Sequence, residues 1–301
     1  MNPMAFRTVV ISNPAELHAK GGQLQIWGDE KISVPMEDIL VLLIESPQVK
    51  LSAACSSILA EHDVMTIFCD NTHHPSAYLC AYLPHSRQAQ MAQVQFDISL
   101  PLRKRIWQRI IVQKILNQAA CLDYASCENA DLLRQYADGV LSGDSKNREG
   151  AAARKYFPSM FDGLLRCEDS EVNDALNYGY SIVRAAIARS LTAHGLYPPI
   201  GIHHKSEFNN FNLADDLIEP FRPFVDIFVK AEMPESCFLS KADRLRLVSV
   251  LHNTCQIDGN KTTIASGIEL EVTSFIKALR EKDSAVLKLP VFVELNSMVL
   301  R

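Results

Sequence analysis

The chain has 301 residues, 48% of them apolar and 22% charged, with a net charge of −5. That length suits one large domain or two, and the balance is that of an ordinary soluble globular protein. No apolar run is long enough to span a bilayer and the N-terminus lacks the regions of a signal peptide, so a cytoplasmic protein with no membrane partner is expected.

The first ninety residues read as β with one helix. RTVVIS, AELHAK, GGQLQIW and KISVPMEDILVLLIE are β-rich runs broken by Asn-Pro, Gly-Gly and Gly-Asp. Gly21-Gly22 between two such runs is a hairpin signal. KLSAACSSILAEHD carries apolar residues at helical spacing, VMTIFCD fits a buried strand, and SAYLCAYL reads as another. His73 and His74 fall in the turn between those strands and read as loop residues, because no acid cluster accompanies them. From Leu83 to Arg87 the pattern turns polar and helix-favouring, and β character is not expected again before the tail. The division is therefore a β-rich domain over 1–85 and a larger, all-α domain over 86–301, giving an α+β fold class.

In the second part, LPLRKRIWQRIIVQKILNQAACL puts Trp107, Ile110, Ile111 and Ile115 on one stripe, with Arg103, Arg105, Arg109 and Lys114 off it. Those charges fit a phosphate-binding flank and a merely solvated face equally well. CENADLLRQYADGVL makes a further helix. In SKNREGAAARKYFPSMF, Asn147 or Ser145 can cap a helix holding Glu149 among Arg148, Arg154 and Lys155, which alone reads as a salt-bridged surface acid. A long buried helix spans EVNDALNYGYSIVRAAIARSLTAHG, and two more cover SKADRLRLVSVLHN and ASGIELEVTSFIKALRE. Residues 285–301 read as a short strand or extended tail.

The densest stretch is GIHHKSEFNNFNLADDLIEPFRP, Gly201 to Pro223. Asn212 is a plausible N-cap with Asp215 as capping-box partner, followed by one helix carrying Asp216 and Glu219 at i and i+3. A histidine nitrogen with carboxylate oxygens suits Mg²⁺ or Mn²⁺ better than structural zinc. An N-capped surface helix beside two loop histidines accounts for the same letters. The eight cysteines, at 55, 69, 80, 121, 127, 167, 237 and 255, form no CxxC pair and read as reduced, buried thiols. Charge is uneven: residues 1–99 carry 5 basic against 10 acidic side chains, 100–160 carry 10 against 6, and 161–301 carry 15 against 19. One basic segment in an acidic chain allows a local phosphate-binding face.

NREGAAARKYF, ALNYGY and GIHHKSEFNNFNLADDLIEPFRP, in that order, resemble the CRISPR-associated integrase family, "Cas one", and the β-rich opening with its IFCD strand resembles the branch of type II systems. The resemblance covers nearly the whole chain. It implies a metal site of Glu149, His204 and Glu219 holding Mg²⁺ or Mn²⁺. His203 and Asp216 are the alternative or orienting residues, since many members have aspartate where this chain has Glu219. It implies DNA contacts at Arg148, Arg154, Lys155 and Arg222, the last equally able to pair with the acids. The implied activity is metal-dependent transesterification joining protospacer 3′-hydroxyls to a repeat, with related endonuclease activity. The implied partners are double-stranded DNA, a second copy bound through the β domain, the small "Cas two" protein and other type II proteins. A stand-alone DNA nuclease and a non-catalytic scaffold are the rival readings.

Overall fold

The computed structural model describes residues 7–71, 73, 75–79, 87–166, 170–233 and 239–295. The expected boundary at 85/86, with His74, Cys80, Cys167, Cys237 and the end of the tail, lies outside them. The chain divides into two compact units, one of the described residues up to Gln88 with Thr192–Gly195, the other of the remainder.

The first unit contains β1 (Arg7–Ile11), β2 (Glu16–Lys20), β3 (Gln23–Trp27), β4 (Lys31–Pro35), β5 (Ile39–Ile44), β6 (Lys50–Leu51), α1 (Ala53–Glu61), β7 (Met65–Cys69) and β8 (Pro75–Leu79). One sheet runs β1-β5-β7-β8, with β8 antiparallel to its neighbour, and the other runs β4-β3-β2-β6. All six residues of β5, ILVLLI, are buried, as a central strand covered on both faces requires. Leu17, Leu24 and Val34 of one sheet share a core with Ile11, Ile39 and Leu42 of the other and with Cys55 and Leu59 of α1. The β2–β3 hairpin turns at Gly21 and Gly22, with φ of +59° and +71°, the backbone that a two-residue turn of this hand demands.

Past Gln88 the chain is mostly helical: α2 (Gln88–Phe96), α3 (Leu100–Tyr124), α4 (Ala130–Asp138), α5 (Arg148–Met160), α6 (Glu171–Ala193), α7 (Asn212–Leu217), α8 (Arg222–Glu232) and α9 (Lys241–Val248), then β9 (Thr254–Ile257), β10 (Asn260–Thr263) and α10 (Ile264–Glu281). Ile106, Trp107, Ile110, Ile111 and Ile115 bury the expected stripe of α3. None of the helices among the described residues is long and apolar enough to cross a membrane.

The second unit is not all-α. β9 and β10 form a hairpin that turns at Asp258 and Gly259, with φ of +52° and +78°. An Asp-Gly pair between TCQI and NKTT carries this signal, and the sequence reading passed over it because each strand has only four residues. Val291 bridges to Gln256 through N–H···O bonds of 2.9 and 2.7 Å. Beside it, the buried Asn117 of α3 donates to the carbonyls of Pro220 (2.8 Å) and Pro290 (2.9 Å) and accepts from the Phe292 N–H (3.0 Å).

Glu271 of α10 is fully buried, and neither of its oxygens has a hydrogen-bond partner among the described residues. Burial pushes its pKa well above the ordinary 4.5. An acid whose folded pKa is raised favours folding at low pH and loses that contribution as pH climbs past the unfolded value. Glu271→Gln is therefore expected to stabilise the protein by about 2 kcal/mol at pH 8, the gain shrinking toward pH 4. Paired thermal melts across that range check it, and a gain that does not depend on pH would contradict the protonation argument.

Candidate active site

Three short segments of the second unit meet α3. In the first, α5 starts at Asn147, whose left-handed backbone (φ 49°, ψ 51°) lets Oδ1 accept the Gly150 N–H at 3.1 Å. The two oxygens of Asp144 accept the N–H groups of Arg148 (2.8 Å) and Glu149 (3.0 Å). A carboxylate there satisfies orphan donors and complements the helix dipole, and it fixes the backbone of Glu149. Of the two expected caps the structure uses Asn147, and Asp144 is a support that the sequence reading missed.

The second segment, loop 201–204, folds around Asp216 of α7. The fully buried Asp216 carboxylate accepts the N–H groups of Ile202 (2.5 Å), His203 (3.1 Å) and His204 (3.0 Å) and meets His204 Nδ1 at 2.8 Å. Because a carboxylate only accepts, the neutral His204 ring keeps its proton on Nδ1 and its lone pair on Nε2. The Asp216 hydrogen bond, acting against burial, holds the His204 pKa above its ordinary value. A Cβ at Gly201 would lie 2.5 Å from the His204 carbonyl and 2.7 Å from Asp216 Oδ2, so only glycine lets the loop close on the acid. His203 stacks on Trp107 with ring centroids 4.0 Å apart and planes 1° from parallel. Burial of that ring lowers its pKa.

Asn212 does not cap α7. It is the first residue inside the helix, where its Nδ2 donates to the carbonyls of Pro199 (3.0 Å) and Ser206 (2.8 Å) and its Oδ1 accepts from Ser206 N–H (3.2 Å). It staples the histidine loop. Asp215 makes no capping box either; it accepts from Asn209 at 2.6 Å and pairs with Arg184 at 3.6 Å.

The third segment breaks the single helix expected over LADDLIEPFRP. Pro220 and Pro223 remove two backbone donors, and a 3₁₀ turn, Glu219–Phe221, separates α7 from α8. Asp216 is spent on the loop, whereas the buried Glu219 reaches α3. Lys114, expected on the solvated flank of α3, is buried instead, with Nζ 2.6 Å from Glu149 Oε1 and 2.5 Å from Glu219 Oε2. Arg222 Nε donates to Glu219 Oε1 at 2.9 Å, the pairing with acid that was one of its two expected roles.

Burial pulls the Lys114 pKa down, but Glu219 and Glu149 outweigh it and hold the ammonium above its ordinary value. Burial likewise pushes Glu219 up, and Arg222 with Lys114 overcomes it, leaving the carboxyl well below the usual carboxylate range. The Arg222 guanidinium also lies 4.6 Å from the centre of the Tyr180 ring, and the Tyr180 hydroxyl donates to Asp226 Oδ1. Asp226 is pushed up to about 6 by burial, against bonding from Tyr180 and a poorly aligned Tyr156. Tyr180 of the ALNYGY stretch thus backs the acid site from behind.

The donor chemistry suits a hard cation. Two carboxylates converge on one positive centre, and the buried Glu219 Oε2 has an ion-pair contact but no aligned hydrogen-bond donor. Among the described residues, though, no three His, Cys, Asp or Glu side chains are gathered closely enough to hold an ion. Glu149 and Glu219 meet through Lys114, and His204 is tied to Asp216. Arg154 and Lys155 are exposed on α5, while Arg148 packs against the Tyr136 ring at 5.6 Å.

The family model for CRISPR associated protein Cas1 matches residues 8–236. The chain belongs to the Cas1 family. It is 38% identical to the CRISPR-associated endonuclease Cas1 of Neisseria meningitidis serogroup C (strain 8013), over 97% of this chain and 98% of that protein. That near-complete likeness is consistent with the type II-like branch. In fold, a casposase bound to integration product matches with TM-score 0.76 at 20% identity, over 92% of this chain and 91% of that one. A Cas6-RT-Cas1–Cas2 complex matches with TM-score 0.72 at 16% identity, over 98% of this chain and 37% of that one.

Asp216→Ala is expected to cost roughly 3 kcal/mol or more, since it strands three amides and an imidazole at once. Asp216→Asn, which keeps one accepting oxygen, should cost less. Chemical denaturation of both variants checks the order, and an Asp216→Ala protein as stable as the parent would show that the loop does not depend on this acid.

Proposed function

We propose that this Cas1-family protein is a DNA integrase of CRISPR adaptation, which joins protospacer 3′-hydroxyl ends to a repeat by transesterification. The observation that carries the reading is the convergence of Glu149 and Glu219, seventy residues apart in sequence, on one buried cationic centre beside a histidine braced by Asp216. Glu149, His204 and Glu219 are the residues that would hold Mg²⁺ or Mn²⁺. A bound divalent ion supplies Lewis acidity, lowering the pKa of the attacking hydroxyl and neutralising charge that builds at phosphorus. What favours Glu219 over Asp216 as the third donor is that Asp216 already accepts four hydrogen bonds.

In the reaction the 3′-oxygen forms a new ester bond to phosphorus as the repeat strand's own 3′-oxygen departs and takes up a proton. Asp216 keeps the His204 ring oriented, Trp107 holds His203 flat beside it, and Arg222 fixes one oxygen of Glu219. Exposed Arg154 and Lys155, one to two turns from Glu149, contact phosphate. A groove of ≈ 830 Å³ supports a polyanionic substrate further along α3: Arg105, Arg109, Lys277 and Lys288 line it against one acid, Asp258. The Cas1–Cas2 complex among its fold neighbours supports a Cas2 partner, and the family resemblance implies that the chain works on double-stranded DNA as a homodimer.

An integration assay tests the reading with short duplex DNA bearing free 3′-hydroxyls, a supercoiled plasmid carrying the repeat, the Cas2 partner, and Mg²⁺ or EDTA. Joined product only with metal, falling by roughly a hundredfold or more in Glu149→Ala, is the expected result. Nicking without joining would favour a nuclease, neither joining nor nicking would favour a scaffold, and full joining by Glu149→Ala would overturn the metal assignment. In binding titrations, Arg105→Glu should weaken DNA affinity across sequences and lower the salt slope by about 0.9 per lost phosphate contact; an unchanged slope would remove the groove from the DNA path.

A further inference from the structure

We propose that Lys114 is a resident counter-ion occupying the position a divalent ion must take, so that metal enters this site by displacing the Lys114 ammonium. The inference rests on the metal assignment of the proposed function and concerns how that site is loaded. Lys114 Nζ contacts Glu149 Oε1 and Glu219 Oε2 at 2.6 and 2.5 Å. The second oxygen of Glu219 is held by Arg222. The Glu219 atom available to an incoming ion is therefore the one the ammonium already covers, and the ammonium covers Oε1 of Glu149 as well.

Charge makes the two cations exclusive. Lys114 and Arg222 balance Glu149 and Glu219, so the cluster is neutral as it stands. Adding a divalent ion with the ammonium still in place would leave two uncompensated positive charges around the buried Lys114 and Glu219 side chains. Removing the ammonium halves that excess and frees one oxygen on each carboxylate. The side chain is built for departure: a lysine carries a compact charge on a flexible four-carbon stem, whereas a planar, forked guanidinium would lock both acids in place. Leaving would also open the space in which His204, now outside the reach of a shared ion, could approach the carboxylates.

The test measures Mn²⁺ binding by the full-length protein without DNA, using calorimetry and the electron paramagnetic resonance of free Mn²⁺, in the parent and in Lys114→Met. Lys114→Met should bind Mn²⁺ roughly tenfold more tightly, and its melting temperature, lowered without metal, should recover as Mn²⁺ is added. Equal or weaker Mn²⁺ binding by folded Lys114→Met overturns the displacement and leaves the metal assignment standing. No Mn²⁺ binding by either protein overturns both. A second readout needs no variant: amine acetylation of the parent, followed by peptide mass spectrometry, should show Lys114 protected without metal and more reactive when Mn²⁺ is present. Unchanged or lower reactivity with bound Mn²⁺ refutes the displacement directly.

Discussion

Four side chains, Lys114, Glu149, Glu219 and Arg222, bring two positive and two negative charges together, with Lys114 and Glu219 buried and Glu149 and Arg222 partly open to solvent. Such a cluster is expensive to assemble, because its members shed much of their hydration, and removing one charge without a replacement leaves its partners uncompensated. Four separate elements, α3, α5, the turn Glu219–Phe221 and α8, are each committed to it through one charged group. The packing of the surrounding helices is therefore set by charge as well as by apolar volume. Behind it, Tyr180 carries the network from Arg222 to the buried Asp226, so that α6 is tied to the same centre.

Much of the first unit was legible because its signals are local. Alternating or continuous apolar runs mark strands, and Gly21-Gly22 marks the reversal between two of them. The long helices α3, α6 and α10 were legible from their apolar period, which persists over many turns. The short pieces were not. The hairpin of β9 and β10 has four residues per strand, too few for a period to register, and only Asp258-Gly259 announces it. The stretch from Asn212 to Pro223 looked like one helix because its apolar spacing is helical throughout, and the two prolines decided otherwise.

The side chains that gather around the site divide in the same way. Glu149 and Glu219 stood out by resemblance, and Asn147 was one of two caps, with Ser145, that the sequence offered for α5. Lys114 did not, since its pattern of neighbours is that of any cation on the wet side of an amphipathic helix; burial comes from two acids far away in the chain. Asn212 was recognised as important for a local reason, capping, and serves a non-local one, holding the loop that carries the histidines. The error has one physical source. A side-chain amide satisfies whichever backbone groups lie closest in space, and sequence shows only those closest along the chain.

The Asn117 side chain has a mechanical consequence. Its one amide joins the carbonyl of Pro220, next to Glu219, to the carbonyl of Pro290 and the N–H of Phe292. The segment that runs past the hairpin is thus coupled by a single rigid group to the turn that aims an acid. A pull on residues 290–292 would load those bonds together with the Val291–Gln256 pair, and part of the strain would arrive one residue from Glu219. The far end of the described chain is therefore a lever on the site.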